Sequence, residues 1–209
     1  MPSDLLSSLY SLITPLPRCN HYTARRDLPW NGIYLFFERD EEIVLDGKRY
    51  PRIVRVGTHN KDGNFPQRIR QHYGNVNSFR GNKNGSVFRL HLGGAIMIKN
   101  DPRDPRLSSW LKHMGASDPL VEEQVSHQLR DNFTFVGIEV PQSRDRLALE
   151  EGLIALLASD HRNAPSKAWL GQYSANDTIC HTGLWNTDKT RGRSLTEQQF
   201  EQLRELVNG

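Results

Sequence analysis

The sequence predicts an α+β fold. Three runs rich in β-branched and aromatic residues read as strands: Gly32-Ile33-Tyr34-Leu35-Phe36-Phe37-Glu38, Arg52-Ile53-Val54-Arg55-Val56-Gly57 and Phe133 to Val140. Between and beyond them, apolar residues recur at helical spacing, and Gly, Pro, Asn and Asp punctuate the joins. The 209 residues suit a single domain spanning 1–209. With 36% hydrophobic residues, 24% charged and a mean hydropathy of -0.64, the composition excludes disordered, collagen-like and membrane-spanning classes.

Taken in order, Ser3-Asp4 ahead of Leu5, Leu6, Leu9 and Ile13 predicts a short amphipathic helix stopped by Pro15 and Pro17. The first two strands are expected to form a hairpin with a longish connection that contains Asp46-Gly47. In that reading Tyr34 shares a face with Phe36, and Arg55 lies opposite Val54 and Val56. Asn64 then caps a helix opened by Phe65-Pro66 and stopped at Gly74, with Arg68 and His72 one turn apart. Residues 75–85 read as a basic loop, 86–98 as a close-packed helix around Gly93-Gly94, and Asp118-Pro119 as the start of another. A strongly helical segment covers 144–159. The last helix, 196–207, is expected to follow a Ser194-x-x-Glu197 capping box.

Charge is unevenly placed. Between Arg52 and Arg89 eight basic residues face one acid, Asp62, a local charge of +7 in a chain of +3. Such asymmetry suits a polyanionic partner, although a charge run is equally read as a solvated face. Two cysteines, Cys19 and Cys180, build no disulfide framework or cysteine zinc site. Their scarcity and the lack of a basic, apolar leader suggest a cytoplasmic protein.

One position breaks the helical pattern. At 100° per residue, Leu147, Leu149, Leu153, Ile154, Leu156 and Leu157 gather on one arc, and Glu150 falls inside it with Glu151 at the edge. A carboxylate on a core-facing stripe needs a partner, either a basic side chain or a metal ion.

Gly32-Ile33-Tyr34, then Val56-Gly57, Arg68-Ile69 with His72, Leu149-Glu150 before Leu153-Ile154, and Asn163 resemble in order and spacing the signature of the GIY-YIG nuclease superfamily. The resemblance implies a small three-stranded antiparallel sheet flanked by helices. It places a nuclease core in 30–73 and 133–165, a helical insertion in 74–132 and a C-terminal helical extension in 166–209. It also implies metal-dependent hydrolysis of DNA phosphodiesters, with Mg²⁺ or Mn²⁺ as cofactor and restriction or defence as one setting. Residue by residue, Tyr34, Arg68, His72 and Asn163 match catalytic positions and Glu150 the metal ligand. At the second motif Arg55 stands where the family carries tyrosine, so Arg55 or His59 is expected to take over its positioning role.

The chemistry agrees with that assignment. Attack of water on a phosphodiester needs a proton acceptor, cations for the phosphoryl oxygens and help for the leaving oxygen. A free phenol is a poor base at neutral pH, so Tyr34 needs cationic neighbours such as Arg55, Arg68 and a bound ion. Arg70, Arg80, Lys83 and Arg89 are expected to hold DNA backbone phosphates. No protein partner is readable, and a homodimer stays open. Eight histidines form no His-Glu-x-x-His pair, which argues against a zinc protease, and His59-Asn60-Lys61 lacks the second histidine of an HNH-type site. Trp169, Tyr173 and Trp185 read as packing residues before base-stacking platforms. The competing function is a non-catalytic nucleic-acid-binding protein on the same fold.

Overall fold

The computed structural model describes residues 4–75, 77–112 and 114–209. Helix α1 (Leu5–Ile13) is capped by Asp4, whose carboxylate accepts the Ser7 N–H at 3.2 Å. Strands β1 (Gly32–Leu45) and β2 (Lys48–Gly57) follow, then α2 (Phe65–Tyr73), α3 (Val87–Asn100), the short α4 (Leu107–Leu111) and α5 (Pro119–Asn132). Strand β3 (Phe133–Glu139) leads to α6 (Ser143–Ser159), α7 (Asp177–Thr182) and α8 (Glu197–Asn208). The fold is therefore α+β, with one antiparallel sheet in the order β2-β1-β3. None of these helices is long and apolar enough to cross a membrane.

Each face of the sheet carries its own core. Ile33, Leu35, Phe37, Ile53, Val56, Val136 and Ile138 pack against α1, α6 and α8 through Leu6, Leu9, Leu149, Leu153 and Leu203. Tyr34, Phe36, Val54 and Phe135 pack on the other side against α2, α3 and α5 through Phe65, Ile69, Phe88 and Val125, with Trp169 and Trp185 closing that core. Gly93 brings α3 close to α4, since a Cβ there would lie 2.3 Å from the Trp110 ring.

Three local expectations need correcting. The polar stretch between the first two strands is strand, not connection: pairing continues through Ile43↔Tyr50 to Leu45↔Lys48 around the two-residue turn Asp46-Gly47, both at positive φ. Its alternation is hidden because Ile43 and Leu45 are buried while Glu42 and Val44 point outward. A register shift opposes Phe36 to Arg55 and Phe37 to Ile53, so Val54 is the extra residue of a bulge. Arg55 consequently lies on the Tyr34 and Phe36 face together with Val54, and only Val56 lies opposite. Finally, the capping box of α8 uses Thr196 and Gln199 in place of Ser194 and Glu197: the Thr196 hydroxyl accepts the Gln199 backbone N–H at 3.2 Å, and the Gln199 side-chain Oε1 accepts the Thr196 N–H at 2.9 Å.

Candidate active site

The glycines of the two sheet motifs are there for contact. A Cβ on Gly32 would lie 2.3 Å from the Ile138 carbonyl oxygen of β3, and a Cβ on Gly57 would lie 2.3 Å from the Tyr34 phenol oxygen. Tyr34 and Gly57 are cross-strand partners, so the ring of the first motif lies over the empty position of the second. Just past β2, Thr58 Oγ1 donates to the Gly32 carbonyl at 2.7 Å, and the Gly32 N–H donates to His59 Nε2 at 3.1 Å.

Beside this junction is a cleft of about 230 Å³ whose lining includes Tyr34, Arg55, Arg68, Glu150, Asn186 and Lys189. Tyr34 is almost wholly buried, with its oxygen 2.8 Å from His72 Nε2. His72 lies on α2 with no exposed surface. Burial, and then the guanidinium charges of Arg68, Arg55 and Arg89, hold its imidazole well below the usual histidine range, so it is neutral. Its Nδ1 lies 2.8 Å from Ser86 Oγ.

Arg55 and Arg68 enter the cleft from two sides. The bulge aims Arg55 there, over the Phe88 ring at 5.0 Å, with a hydrogen bond to the Trp185 carbonyl and no partner for Nε among the described residues. From α2, Arg68 donates to Gln71 Oε1 at 3.0 Å and to the Gly85 carbonyl at 2.9 Å. Neither holds a carboxylate among the described residues. Two uncompensated guanidiniums, one of them buried, form a place for an anion.

Glu150 supplies the negative charge. It reaches from α6 past the end of β2, where Oε1 accepts the Thr58 N–H at 3.0 Å and Oε2 pairs with Lys189. Among the described residues no group of three or more His, Cys, Asp or Glu could cage a metal ion. Mg²⁺ needs no such cage: one or two carboxylates, retained waters and substrate phosphate oxygens satisfy it. Glu150, with Asp188 on the same cleft, fits that donor set.

The other sequence-derived candidates sit elsewhere. Asn163 is on the opposite side of the sheet, accepting from Tyr10 Oη at 2.9 Å and donating to the Leu157 carbonyl at 3.2 Å. The asparagine in the cleft is Asn186, whose amide accepts the Val56 N–H at 3.1 Å and donates to the Val56 carbonyl at 2.8 Å. His59 lines the adjoining hollow, but both ring nitrogens are engaged, Nε2 by Gly32 and Nδ1 by the Lys61 carbonyl at 2.7 Å. Lys83 and Arg89 are buried and cannot reach DNA. Lys83 Nζ donates to the Lys112 carbonyl at 3.0 Å, and Arg89 forks onto Glu122 at 2.9 and 2.7 Å. Arg70 and Arg80 line a separate hollow of about 250 Å³ that shares Gln71 with the His59 hollow, which in turn shares Arg68 with the cleft.

The segment 185–189 was not visible as functional in the sequence. It is laid along the β2 edge by the Trp185 N–H bond to the Val54 carbonyl at 2.7 Å, a pairing more than 130 residues long in chain distance that no local pattern announces.

The sheet, the paired motifs and the cleft define a nuclease-type fold. The GIY-YIG domain family matches residues 4–209, so the chain belongs to that family, whose members are generally nucleases. No curated protein and no solved structure matches it significantly.

Proposed function

We propose that the protein is a metal-dependent endonuclease that hydrolyses DNA phosphodiesters in the Tyr34 cleft. The observation that carries this reading is the convergence of Tyr34, two guanidiniums without carboxylate partners and the Glu150 carboxylate on one small cleft. Arg55 and Arg68 bind the scissile phosphate and offset the charge that grows on its non-bridging oxygens. Arg55 thus supplies from β2 a cation where the family's second tyrosine would stand. Tyr34, once it has shed its own proton, takes one from the attacking water. A P–O bond forms, the bond to the leaving oxygen breaks, and that oxygen is protonated from solvent. Glu150 would hold Mg²⁺ or Mn²⁺, which when bound supplies Lewis-acid stabilisation of the phosphoryl and leaving oxygens. Arg70 and Arg80, in the separate hollow beyond the cleft, hold backbone phosphates of the same strand.

The test is a pair of variants on adjacent residues. Glu150→Gln keeps the shape and removes the anionic ligand, so it abolishes Mg²⁺-dependent nicking of supercoiled plasmid while DNA binding persists; Glu151→Gln, outside the cleft, cleaves like wild type. The competing reading, a non-catalytic DNA-binding protein, draws on the Lys189 ion pair with Glu150 and the missing second tyrosine. It predicts equal DNA binding by all three proteins and no nicking by any, with Mg²⁺ or with EDTA.

A further inference from the structure

The hydrogen bonds behind Tyr34 fix the direction in which its proton cannot go. Ser86 is the N-cap of α3, and its Oγ accepts the Arg89 N–H at 3.3 Å. The same oxygen lies 2.8 Å from His72 Nδ1, whose ring reaches Tyr34 Oη through Nε2, also at 2.8 Å. Ser86 and His72 are both buried.

A neutral imidazole has one donor and one acceptor nitrogen, and a serine hydroxyl has one proton to place. If Nδ1 carried the His72 proton and donated to Ser86, the buried Ser86 O–H would have no acceptor among the described residues. Leaving a buried donor unmade is costly. If instead Ser86 donates to Nδ1, then Nε2 carries the proton and donates to the Tyr34 oxygen. The buried donors of Ser86 and His72 are then matched, and the Tyr34 O–H is left to turn into the cleft that this residue lines. The start of α3 favours the same arrangement, because the positive end of a helix faces a lone pair on Nδ1 more favourably than an N–H.

We propose that Ser86 holds His72 in the tautomer protonated on Nε2, so that His72 donates to the Tyr34 oxygen and stabilises the phenolate instead of accepting its proton. The tyrosine proton leaves through the cleft to solvent, and the phenolate then takes a proton from the attacking water. Ser86 is a positioning residue in this scheme, which rests on the nuclease reading for its catalytic consequence but not for the tautomer.

The variants separate helix capping from proton placement. Asp caps helices as well as Ser but only accepts hydrogen bonds when ionised, so Ser86→Asp preserves α3 and forces the His72 proton onto Nδ1. Ser86→Thr keeps both the cap and the hydroxyl proton. Imidazole ¹⁵N spectra of the labelled protein are expected to show Nε2 protonated in wild type and Ser86→Thr, and Nδ1 protonated in Ser86→Asp. Cleavage under saturating DNA is expected to fall about 100-fold in Ser86→Asp, the loss typical of one donor to a developing anion, and to stay near wild type in Ser86→Thr. An Nδ1 proton in the wild-type spectrum overturns the proposal, as does undiminished cleavage by a Ser86→Asp protein whose tautomer has flipped. If wild type shows the Nε2 proton but cuts no DNA, the tautomer assignment stands and the nuclease reading falls.

Discussion

Gly57→Ala is the smallest change that reaches the centre of the site. Its Cβ would lie 2.3, 2.4 and 2.6 Å from the Tyr34 oxygen, Cζ and Cε2, where ordinary contact begins at 3.4 Å, so the phenol oxygen must give way by about 1.1 Å. The ring has little room to do so. Phe36 meets it edge-on at 5.5 Å, Phe65 at 6.1 Å and His72 at 5.3 Å between centroids. Moving the oxygen by that amount breaks the 2.8 Å bond to His72. A displacement of ~1 Å at a reacting group costs roughly 100-fold in rate. The overpacking itself costs about 1–3 kcal/mol of stability. Gly57 is not at positive φ, so the alanine backbone is unstrained and the effect is steric. Gly85→Ala is the control, because a Cβ there meets nothing within 4 Å. Plasmid nicking rates at saturating DNA and thermal unfolding are measured for both. A Gly57→Ala protein that cuts at the wild-type rate would refute the claim that the second motif's glycine exists to seat the first motif's tyrosine.

Other expectations follow from the buried charges. Glu38 accepts the indole N–H groups of Trp169 and Trp185 at 2.9 and 3.1 Å, yet burial outweighs those bonds and pushes its carboxyl from 4.5 up to about 7. The folded protein therefore holds this proton where the unfolded chain has lost it, and the stability it contributes is complete below pH 4.5 and lost as pH rises to about 7. Glu38→Gln removes that loss, so its melting temperature should exceed the wild-type value at pH 8 by the equivalent of about 3 kcal/mol, with the advantage gone at pH 4; a pH-independent difference would contradict this. Arg89→Ala leaves the buried Glu122 carboxylate uncompensated and should cost about 3–5 kcal/mol in denaturant unfolding, far more than any DNA-contacting surface residue. Arg80→Ala should leave stability unchanged and flatten the dependence of log affinity on log salt by about 0.9, whereas Lys83→Ala should leave that slope as in wild type. Lys189→Ala frees Glu150 Oε2 and should tighten Mn²⁺ binding in the absence of DNA, read by Mn²⁺ electron paramagnetic resonance; weaker binding would show that Lys189 supports the ion site instead of competing for it.

The legible part of the fold was the part encoded locally. Strand runs, the Asp4, Asn64 and Asp118 helix starts and the Gly74 stop are all written within a few residues, and each of the short motifs that pointed to Tyr34, Arg68 and Glu150 is local too, although the set is ordered along most of the chain. What escaped was set by distant partners. Lys83 and Arg89 look like surface cations in a basic run, but their environment is built by α5, where Glu122 is 33 residues beyond Arg89 in the chain. The bulge that turns Arg55 to the Tyr34 face depends on pairing register, which no single strand records. Asn163 was the first asparagine after Glu150, but the polypeptide passes it on the α1 side, and Asn186 enters the cleft only because Trp185 and Asn186 pair with β2. Ser86 read as nothing more than the start of a helix until His72 was found against it.

In the proposed mechanism the oxygen of Tyr34 takes part in phosphodiester hydrolysis. Tyr34→Phe removes that single atom and keeps the ring contacts with Phe36, Phe65 and His72. Single-turnover cleavage of duplex DNA with excess protein and Mg²⁺ should fall by at least about 100-fold, within the range general-base groups supply, with DNA affinity near wild type and a loss of stability of about 1–3 kcal/mol because the buried His72 Nε2 loses its partner. Cleavage by Tyr34→Phe at the wild-type rate, in Mg²⁺ and not in EDTA, would place the catalytic base elsewhere and contradict the account.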